Sequence, residues 1–365
     1  YDFDQIKPLS ERALAMAEQV GDLELCLGAK RTLAMREKDI TKGIAILEDI
    51  VSTAEAERLL RSSATAHLNL GYFFNGHMID VDSAINHSLE AAKNFRETGN
   101  IRAMLFSLEN AVTFRLLYGE MNAVNDIKIE LLQIPDVPNS LVNDFLDDYM
   151  PGVKFRKGEW NAAIQDYQIL LHKYKERNSP FGITSCLYQL VDSILELHRF
   201  THSENISEAK SLVLEGIELQ RSNPVDLSFL SLTIINLREG NFEDARDCLQ
   251  TATDYHKKSV ENSNELNLSK EYFANVYFEL AFAEENWADA VSICENSLRV
   301  INKSGHKWLL ARKLIDLGDS LIGRNDPGDQ ERARQTYQQS LDMFTEMGAP
   351  GYVRVLEERL ENLGD

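Results

Sequence analysis

The feature that most constrains this chain is a short motif that recurs along it. A small or acidic residue and a polar residue precede a large apolar residue, and a small apolar residue follows three positions later. The motif occupies residues 119–124, 158–163, 240–245 and 285–290. A bulky residue that opens a helix, followed one turn later by a small one, is typical of a helix packed closely on its predecessor. The motif therefore predicts a repeated helix–turn–helix joint.

The joint recurs about every 40 residues along the whole chain, which is the period of a helical-pair repeat. The residues that open each second helix are Ile6, Ile40, Val81, Met121, Trp160, Ile206, Phe242 and Trp287, with Gln330 at the equivalent place in the last unit. The joint positions three residues later are Leu9, Gly43, Ala84, Val124, Ala163, Ala209, Ala245, Ala290 and Ala333. Because most of these are Ala or Gly, the spacing predicts close helix packing, with Trp160 and Trp287 in the core.

These repeats predict an all-α fold, a right-handed superhelix of about eight tandem helical pairs. We expect residues 1–20 to form a half repeat cut from a longer protein, and residues 21–347 to form the tandem pairs. Residues 350–363 are amphipathic and are expected to form a capping helix, because a terminal repeat would otherwise leave an apolar face in water. The whole chain, 1–365, is thus interpreted as a single solenoid.

Breaker residues predict irregular points in this array. Pro135 and Pro138 are expected to stop one helix and to impose an extended connection, and Pro151 is expected to kink or break the next helix. Residues 201–205 are polar and are interpreted as a link between helices, and residues 260–268 either as a polar linker or as an early helical turn. The array is therefore expected to be regular except at these places.

Composition excludes several classes of function. The 365-residue chain carries a formal net charge of −20, whereas recognition of a phosphate backbone or of an anionic membrane requires a basic face. The four cysteines form no C-x-x-C pair, which favours a reducing, cytoplasmic compartment. No apolar run approaches the roughly 20 residues that span a bilayer. We therefore expect no contact with nucleic acid or membrane. The acidic charge is interpreted either as a means of solubility or as suited to a basic partner.

Catalytic and metal-binding patterns are absent from the sequence. It contains no glycine-rich phosphate loop, serine-hydrolase elbow or zinc-protease motif, so we expect no enzymatic activity, no cofactor and no metal. His67, His77 and His87 recur every ten residues, a spacing that shares no helical face, and surface or turn positions are expected for them. The aspartates within 144–148 are interpreted either as a solvated face or as a clamp for a basic ligand.

Several stretches resemble the tetratricopeptide consensus. They are the four joints, Leu70, Gly71 and Phe74, Leu317, Gly318 and Leu321, and Ala333, Tyr337 and Ser340. The period of about 40 residues resembles the longer, MalT-like variety of this repeat. That resemblance implies the interaction or sensor arm of a multidomain bacterial signalling ATPase or transcription regulator.

The resemblance further implies a concave groove lined by the first helix of each pair. The implied groove residues are Phe106, Glu109, Thr113, Leu116, Leu227, Leu230, Ile234, Tyr272, Asn275, Glu279 and Phe282. Such a mixed lining suits an extended peptide or a partner helix. We therefore hypothesise a non-enzymatic scaffold that binds a protein or peptide partner, or another domain of the same polypeptide. The alternative is a regulatory sensor whose groove holds a small inducer or signalling peptide.

Overall fold

The computed structural model describes residues 6–134, 137–201, 206–219, 226–260 and 267–364. Within these ranges the chain forms eighteen helices and no strand. In chain order they are α1 (Ile6–Val20), α2 (Leu23–Ala34), α3 (Ile40–Ala56), α4 (Leu60–Gly76), α5 (Val81–Glu97), α6 (Ile101–Tyr118), α7 (Ala123–Leu132), α8 (Asn139–Arg156), α9 (Trp160–Glu176), α10 (Pro180–Thr201), α11 (Ile206–Leu219), α12 (Asp226–Arg238), α13 (Phe242–Val260), α14 (Asn267–Ala283), α15 (Trp287–Ser304), α16 (Lys307–Arg324), α17 (Asp329–Met347) and α18 (Pro350–Asn362). The predicted all-α class is confirmed, and the helices fit the tetratricopeptide-type repeat that the sequence predicts.

Neighbouring helices pack closely along much of the chain, most extensively α4 with α5, α5 with α6 and α16 with α17. The joint residues Ala84, Ala163 and Ala245 are fully buried, because a small side chain there lets two helix backbones approach. One joint has Gly43 in place of alanine, because a Cβ at this position would clash with the Phe73 ring, at 2.8 Å from Cε1. The small joint residues therefore act as the sequence predicts.

Of the two effects expected of Pro151, the break is wrong, because α8 runs without interruption from Asn139 to Arg156, and the kink stays a prediction. A proline inside a helix removes one backbone hydrogen bond and introduces a clash. Residues 151–153 are buried, and we attribute the continuity of α8 to this packing. Pro135 lies outside the described residues, as do 202–205 and 261–266, so the expectations for those stretches stay predictions.

The described contacts divide the chain into two compact units. Unit 1 lies within residues 1–118, 258–270 and 303–305, and unit 2 lies within residues 119–257, 271–302 and 306–365. The interpretation of the chain as one solenoid stays a prediction. None of the helices in the described ranges is long and apolar enough to cross a membrane.

Unit 1 is centred on apolar side chains of α2, α3 and α4. Leu27, Leu47, Ile50 and Leu70 are almost completely buried, and Phe73 packs with them. These residues recur at helical spacing on α3 and α4, so each helix presents one apolar stripe to the other. The stripe alone accounts for the pairing of these helices.

A pair of histidines lies beside this core, on α4 and α5. The Nδ1 atoms of His67 and His87 are 2.8 Å apart, and His67 Nε2 lies 3.4 Å from Glu55 Oε1 on α3. The His87 ring stacks on Phe74, with ring centroids 5.5 Å apart. The expectation of separate surface or turn positions is therefore wrong for these two histidines. Packing between helices, rather than spacing along one helix, brings them together.

The histidine pair predicts that acid weakens unit 1. Burial, reinforced by His67 and opposed by Glu90, lowers the pKa of His87 from 6.5 to about 4. A group whose folded pKa is depressed stabilises the fold above its unfolded pKa and loses that contribution as the pH falls. Because His87 is only half-buried, we expect wild type to lose about 1–2 kcal/mol more than His87→Gln between pH 6.5 and 4.

Urea denaturation at several pH values checks this expectation. His172→Gln is the matched control, because the His172 side chain is 75% exposed and pairs only with Glu176 one turn away on α9. Its stability curve should follow that of wild type. Curves of wild type and His87→Gln that stay parallel through this pH range would contradict the prediction.

In unit 2 the last helices of the chain pack on helices far earlier in the sequence. Gly351 N donates to Lys157 O at 2.9 Å, and Trp308 Nε1 donates to Arg156 O at 3.0 Å. Tyr352 is fully buried, and its ring meets that of Trp308 edge-on, with ring centroids 6.0 Å apart. The C-terminal helix that the sequence predicts as a cap, observed as α18, is thus anchored on the turn between α8 and α9.

Candidate functional site

Four helices of unit 2 carry charged and polar side chains that meet in its interior. On α10 these are Asp192, Glu196 and Arg199, on α12 Arg238, on α14 Tyr272, Asn275 and Glu279, and on α16 Arg312, Lys313, Asp316 and Asp319. On α10, α14 and α16 the set members recur three or four residues apart, which places them on one face of each helix. We call this set the polar face of unit 2.

Asp316 is the centre of the polar face. Its side chain is 1% exposed. The carboxylate forms ion pairs with Arg199 Nη2 at 2.5 Å, with Lys313 Nζ at 2.9 Å and with the Arg312 guanidinium. Burial alone would raise the pKa of this carboxyl group, but these three cations outweigh burial and hold the pKa well below its usual range. Asp316 is therefore ionised at neutral pH.

Glu279 extends the network from α16 to α14. Its Oε1 atom accepts from Arg199 Nη1 at 2.8 Å and from Arg238 Nη2 at 3.2 Å. Burial opposes ionisation, yet Arg238 and Arg199 lower the pKa of Glu279. A carboxylate held by two guanidinium groups is well compensated for its desolvation, so these side chains tie α10, α12 and α14 together.

Glu196 extends the network to the C-terminal helix. Arg312 Nη2 donates to Glu196 Oε2 at 3.0 Å, and the Tyr352 hydroxyl donates to Glu196 Oε1 at 2.9 Å. Arg359 on α18 donates to both carboxylate oxygens of Asp319, at 2.7 Å and 3.0 Å. The guanidinium groups of this part of the network also lie near the Phe200 ring. These contacts fix α10, α16 and α18 in place.

Two charged side chains beside this network lack such partners. The Arg156 guanidinium stacks over Trp308 and donates from Nη1 to Gly152 O at 3.2 Å, but its Nε has no hydrogen-bond partner within the described structure. No carboxylate of the described residues forms an ion pair with it, and burial lowers its pKa. Asp192 makes no hydrogen bond or ion pair with any described residue.

The environment of Asp192 is unfavourable for its charged form. Burial, together with the nearby charge of Glu196, raises the pKa of this carboxyl group to about 7, although Arg156 opposes the rise. Desolvation of its hydroxyl group, with Asp192 adding to the effect and Arg156 opposing it, raises the pKa of Tyr272, although 40% of the residue's surface is exposed. The Arg156, Asp192 and Tyr272 side chains are thus electrostatic neighbours. We call these three residues, from α8, α10 and α14, the open triad.

The predicted groove residues of α14 lie in two different environments. Tyr272 belongs to the open triad and keeps 40% of its surface exposed. Asn275 Oδ1 accepts from Lys313 Nζ at 3.2 Å, and Glu279 lies in the ion-pair network. Phe282 packs edge-on against Trp287, with ring centroids 5.0 Å apart. Three of the four residues therefore lie on the polar face, and Phe282 lies in the packing around the joint.

The predicted groove residues of α12 are mostly inaccessible. Leu230 and Ile234 are buried, whereas Leu227 is half-buried. A helix that is apolar on all sides fills the space between its neighbours. Leu230 and Ile234 therefore pack in the core of unit 2, and Arg238 is the residue of α12 that reaches the polar face.

The predicted groove residues of α6 belong to unit 1. Phe106 is 45% exposed, and its ring centroid lies 6.4 Å from that of Tyr72 on α4. Thr113 Oγ1 donates to Glu109 O at 3.0 Å within the helix, and Leu116 is buried. Phe106 and Tyr72 thus form a small exposed aromatic surface. By contrast, Thr113 bonds within its own helix, and Leu116 packs in the core.

The aspartates of α8 are paired with the neighbouring helix. Asp144 accepts from Arg177 Nη2 at 2.9 Å, and Asp147 pairs with Lys173. All four side chains are substantially exposed, so these contacts are surface ion pairs between α8 and α9. The basic groups of α9 thus occupy the places that the alternative interpretation gave to a basic ligand.

Sequence reasoning did not single out Arg156, Asp192, Arg312 or Asp316. A usable signal exists for the last two, because 312, 316 and 319 are charged at a spacing of three or four residues within an otherwise largely apolar helix. Arg156 gives no such signal. It lies at the end of α8, and its position beside α10 and α14 depends on contacts between helices.

Comparison with known proteins gives fold likeness at a low level. No protein-family model and no curated protein sequence matches the chain. A Rap protein in complex with Competence and Sporulation Factor has a TM-score of 0.42 and 10% identity, and the match covers 92% of this chain and 97% of that one. A STAND protein with a tetratricopeptide repeat sensor from Pyrococcus horikoshii has a TM-score of 0.32 and 13% identity over 97% of this chain and 49% of that one.

A circular tandem repeat protein with a novel repeat topology has a TM-score of 0.25 and 13% identity, over 99% of this chain and 95% of the other. Likeness at this level assigns neither ligand nor partner to the present chain. The class that its own fold and site define is an all-α helical repeat scaffold, with a polar face and an open triad in unit 2.

Proposed function

We propose that this protein is a non-enzymatic binding scaffold that holds a peptide or protein segment at the open triad of unit 2. The observation that carries the proposal is the contrast within the polar face. Arg199, Glu279 and Asp316 form ion pairs with one another and with neighbouring side chains, whereas Arg156 and Asp192 form no ion pair with any described residue. Charged groups in a protein interior are normally paired, so a ligand that pairs with Arg156 or Asp192 would satisfy a group that the chain leaves without an ion pair.

The paired network gives this site a rigid support. A binding group held in place by supporting ion pairs loses little conformational entropy when a ligand arrives. Tyr272 adds an exposed aromatic ring with a hydroxyl group, the type of side chain that protein interfaces favour. Within a larger signalling or regulatory protein, such a scaffold would serve as its interaction or sensor arm.

A peptide-display selection on the full chain tests the proposal. We expect random peptides to enrich, and Tyr272→Ala to weaken the selected peptides by about tenfold or more, the scale of a lost interface aromatic residue. Tyr277→Ala is the matched control, because Tyr277 lies on the same helix with 43% exposure, close to the 40% of Tyr272, and on a different face. Failure to enrich any peptide, or equal losses in both variants, would overturn the proposal.

A sensor for a small ligand is the second candidate function. It is favoured by the small number of charged groups without an ion pair, Arg156 and Asp192, since a small ligand carries few groups to pair with them. Screening a metabolite collection by thermal shift distinguishes the candidates. A metabolite that stabilises wild type but not Tyr272→Ala, in the absence of any selected peptide, would favour the sensor.

A further inference from the structure

We infer that α1 is a docking surface for a second copy of this chain, whose own α1 packs on it in antiparallel orientation. Leu9, Ala13, Met16 and Val20 form an exposed apolar stripe along this helix, which we call the α1 seam. The α1 seam belongs to unit 1, whereas the open triad belongs to unit 2. The inference therefore goes beyond the proposed function and does not depend on it.

The joint residue of α1 differs from the other joint residues in its exposure. Leu9 keeps 59% of its surface exposed, whereas every other joint residue is buried. At the joint of α5 the preceding helix α4 provides the cover, since a Cβ on Gly71 would lie 3.2 Å from Ala84 O. Leucine is also larger than the usual alanine, and larger side chains place two packed helices further apart. The joint of α1 thus has the surface for a covering helix, but no described helix covers it.

The α1 seam has the spacing of a coiled coil. Its members are separated by four, three and four residues, as the a and d positions of a heptad are. Met16 and Val20 are 56% and 78% exposed. The buried residues of α1, Ser10 and Ala17, lie on another face of the helix. Because α1 already packs on α2, the seam is a second apolar face that is left for another helix.

Two copies of the α1 seam fit each other in antiparallel orientation. A twofold axis between positions 14 and 15 places Leu9 opposite Val20 of the second copy. It likewise places Ala13 opposite Met16 of the second copy, so that a small side chain meets a long one in each central layer. A surface that is complementary to itself in this way is what a twofold dimer requires.

The charged residues of α1 are compatible with this pairing. Arg12 and Gln19 flank the seam on one side, and the antiparallel register brings each near the other across the interface. The guanidinium group thus meets a neutral amide and not a second cation. Glu11 and Glu18 lie on the opposite face of α1, so the pairing brings no carboxylate groups of the two seams together.

The ends of the seam carry complementary charge. Beyond the C-terminal end of α1 lies an open cleft of about 570 Å³ that no basic residue lines. Its lining residues are Val20, Gly21, Asp22, Leu23, Glu24, Glu57 and Leu59. The antiparallel register brings this cleft to the N-terminal end of the second α1, which carries Lys7 and no acidic residue in its first turn. A helix N-terminus is the positive end of the helix dipole and favours nearby carboxylates.

We expect the dimer to be weak and to depend on concentration. The seam contributes four residues from each copy, whereas a standard interface has about 20–30 residues a side. Each copy also carries a formal net charge of −20, and this charge opposes association at low salt. The dimer is therefore best measured at physiological salt, where we expect a dissociation constant of about 10 µM or higher.

Sedimentation velocity of the full chain, from about 10 µM to 1 mM, measures this constant. Met16→Glu should raise it by about a hundredfold, because the charge enters the interface once from each copy and each entry has the scale of a lost hot spot. Ile169→Glu is the matched control, since Ile169 on α9 is 60% exposed, close to Met16, and lies outside the seam. It should leave the constant unchanged. Both positions are exposed, so circular dichroism should show wild-type folding in both variants.

Disulfide cross-linking checks the antiparallel register. The double variant Leu9→Cys/Val20→Cys should form a covalent dimer on mild oxidation, with the bonded peptides identified by mass spectrometry. Leu9→Cys alone is the control, because the two copies of position 9 would be about 16 Å apart along the axis, beyond the reach of a disulfide.

Three outcomes would overturn the inference. The first is a monomer at every concentration, and the second is a dimer that Met16→Glu leaves intact. The third is a covalent dimer of Leu9→Cys alone, which would indicate parallel helices. None of these outcomes bears on peptide binding at the open triad, so failure here is distinguishable from failure of the proposed function.

Discussion

Asp316→Ala is expected to lower the free energy of unfolding by about 3–5 kcal/mol, the cost of breaking a buried ion pair by removing one partner. The substitution would leave Arg199, Arg312 and Lys313 facing one another without their shared carboxylate. The side chain of Asp316 is 1% exposed, so water cannot replace the lost charge. The expected effect is large because three cations share this one buried carboxylate, although Arg199 keeps Glu279 and Arg312 keeps Glu196.

Denaturant titration of unit 2 fluorescence measures this loss. Asp144→Ala is the matched control, because Asp144 pairs with Arg177 at the surface at 2.9 Å and exposed pairs contribute about 0–1 kcal/mol. Since the folded pKa of Asp316 is depressed, its contribution is present above the unfolded pKa of 3.8 and is lost only in stronger acid. Equal losses in the two variants at neutral pH would show that the network does not support the fold.

Gly351→Ala is expected to detach α18 or to cost about 3 kcal/mol or more, beyond ordinary overpacking. A Cβ on Gly351 would lie 2.1 Å from Gly158 O and 2.4 Å from Gly158 C. These are backbone atoms and cannot rotate away. Gly158 itself has φ +75°, a left-handed conformation that favours glycine, so the turn has little freedom to move.

Detachment of α18 is measured by hydrogen exchange of this helix. It is also measured by tryptophan fluorescence, because the indole rings of Trp160 and Trp308 pack against Tyr352. Gly216→Ala is the matched control within unit 2. It lies inside α11, and an added Cβ meets only Leu187 Cδ1 at 3.9 Å, so it should be neutral or stabilise by up to about 1 kcal/mol. Normal exchange protection of α18 in the Gly351→Ala variant would contradict the predicted anchoring role.

Helix positions could be predicted closely from the sequence because each helix carries its own apolar stripe and end signals. Residues 350–363 were expected as a helix, and α18 is Pro350–Asn362. The joint residues Ala84 and Ala163 are buried as their spacing predicts. Such features depend on residues within one helical turn of each other, so the local pattern contains the necessary information.

The candidate site could be predicted only in part. The resemblance implied four groove residues on α14, and three of them, Tyr272, Asn275 and Glu279, lie on the polar face. It did not separate these from Phe282, which packs on Trp287 at the joint. Nor did it show which polar residues would be paired, because the partners of Arg199 are 80 and 117 positions away.

The sequence by itself determined an all-α chain of repeated helix joints, since periodicity and small joint residues are local properties of the chain. Only the tertiary structure decided that α18 returns to the turn after α8, that His67 meets His87, and that Arg156 and Asp192 form no ion pair with any described residue. The physical reason is that burial and charge compensation depend on every side chain that surrounds a group. Those neighbours come from helices far apart in the sequence.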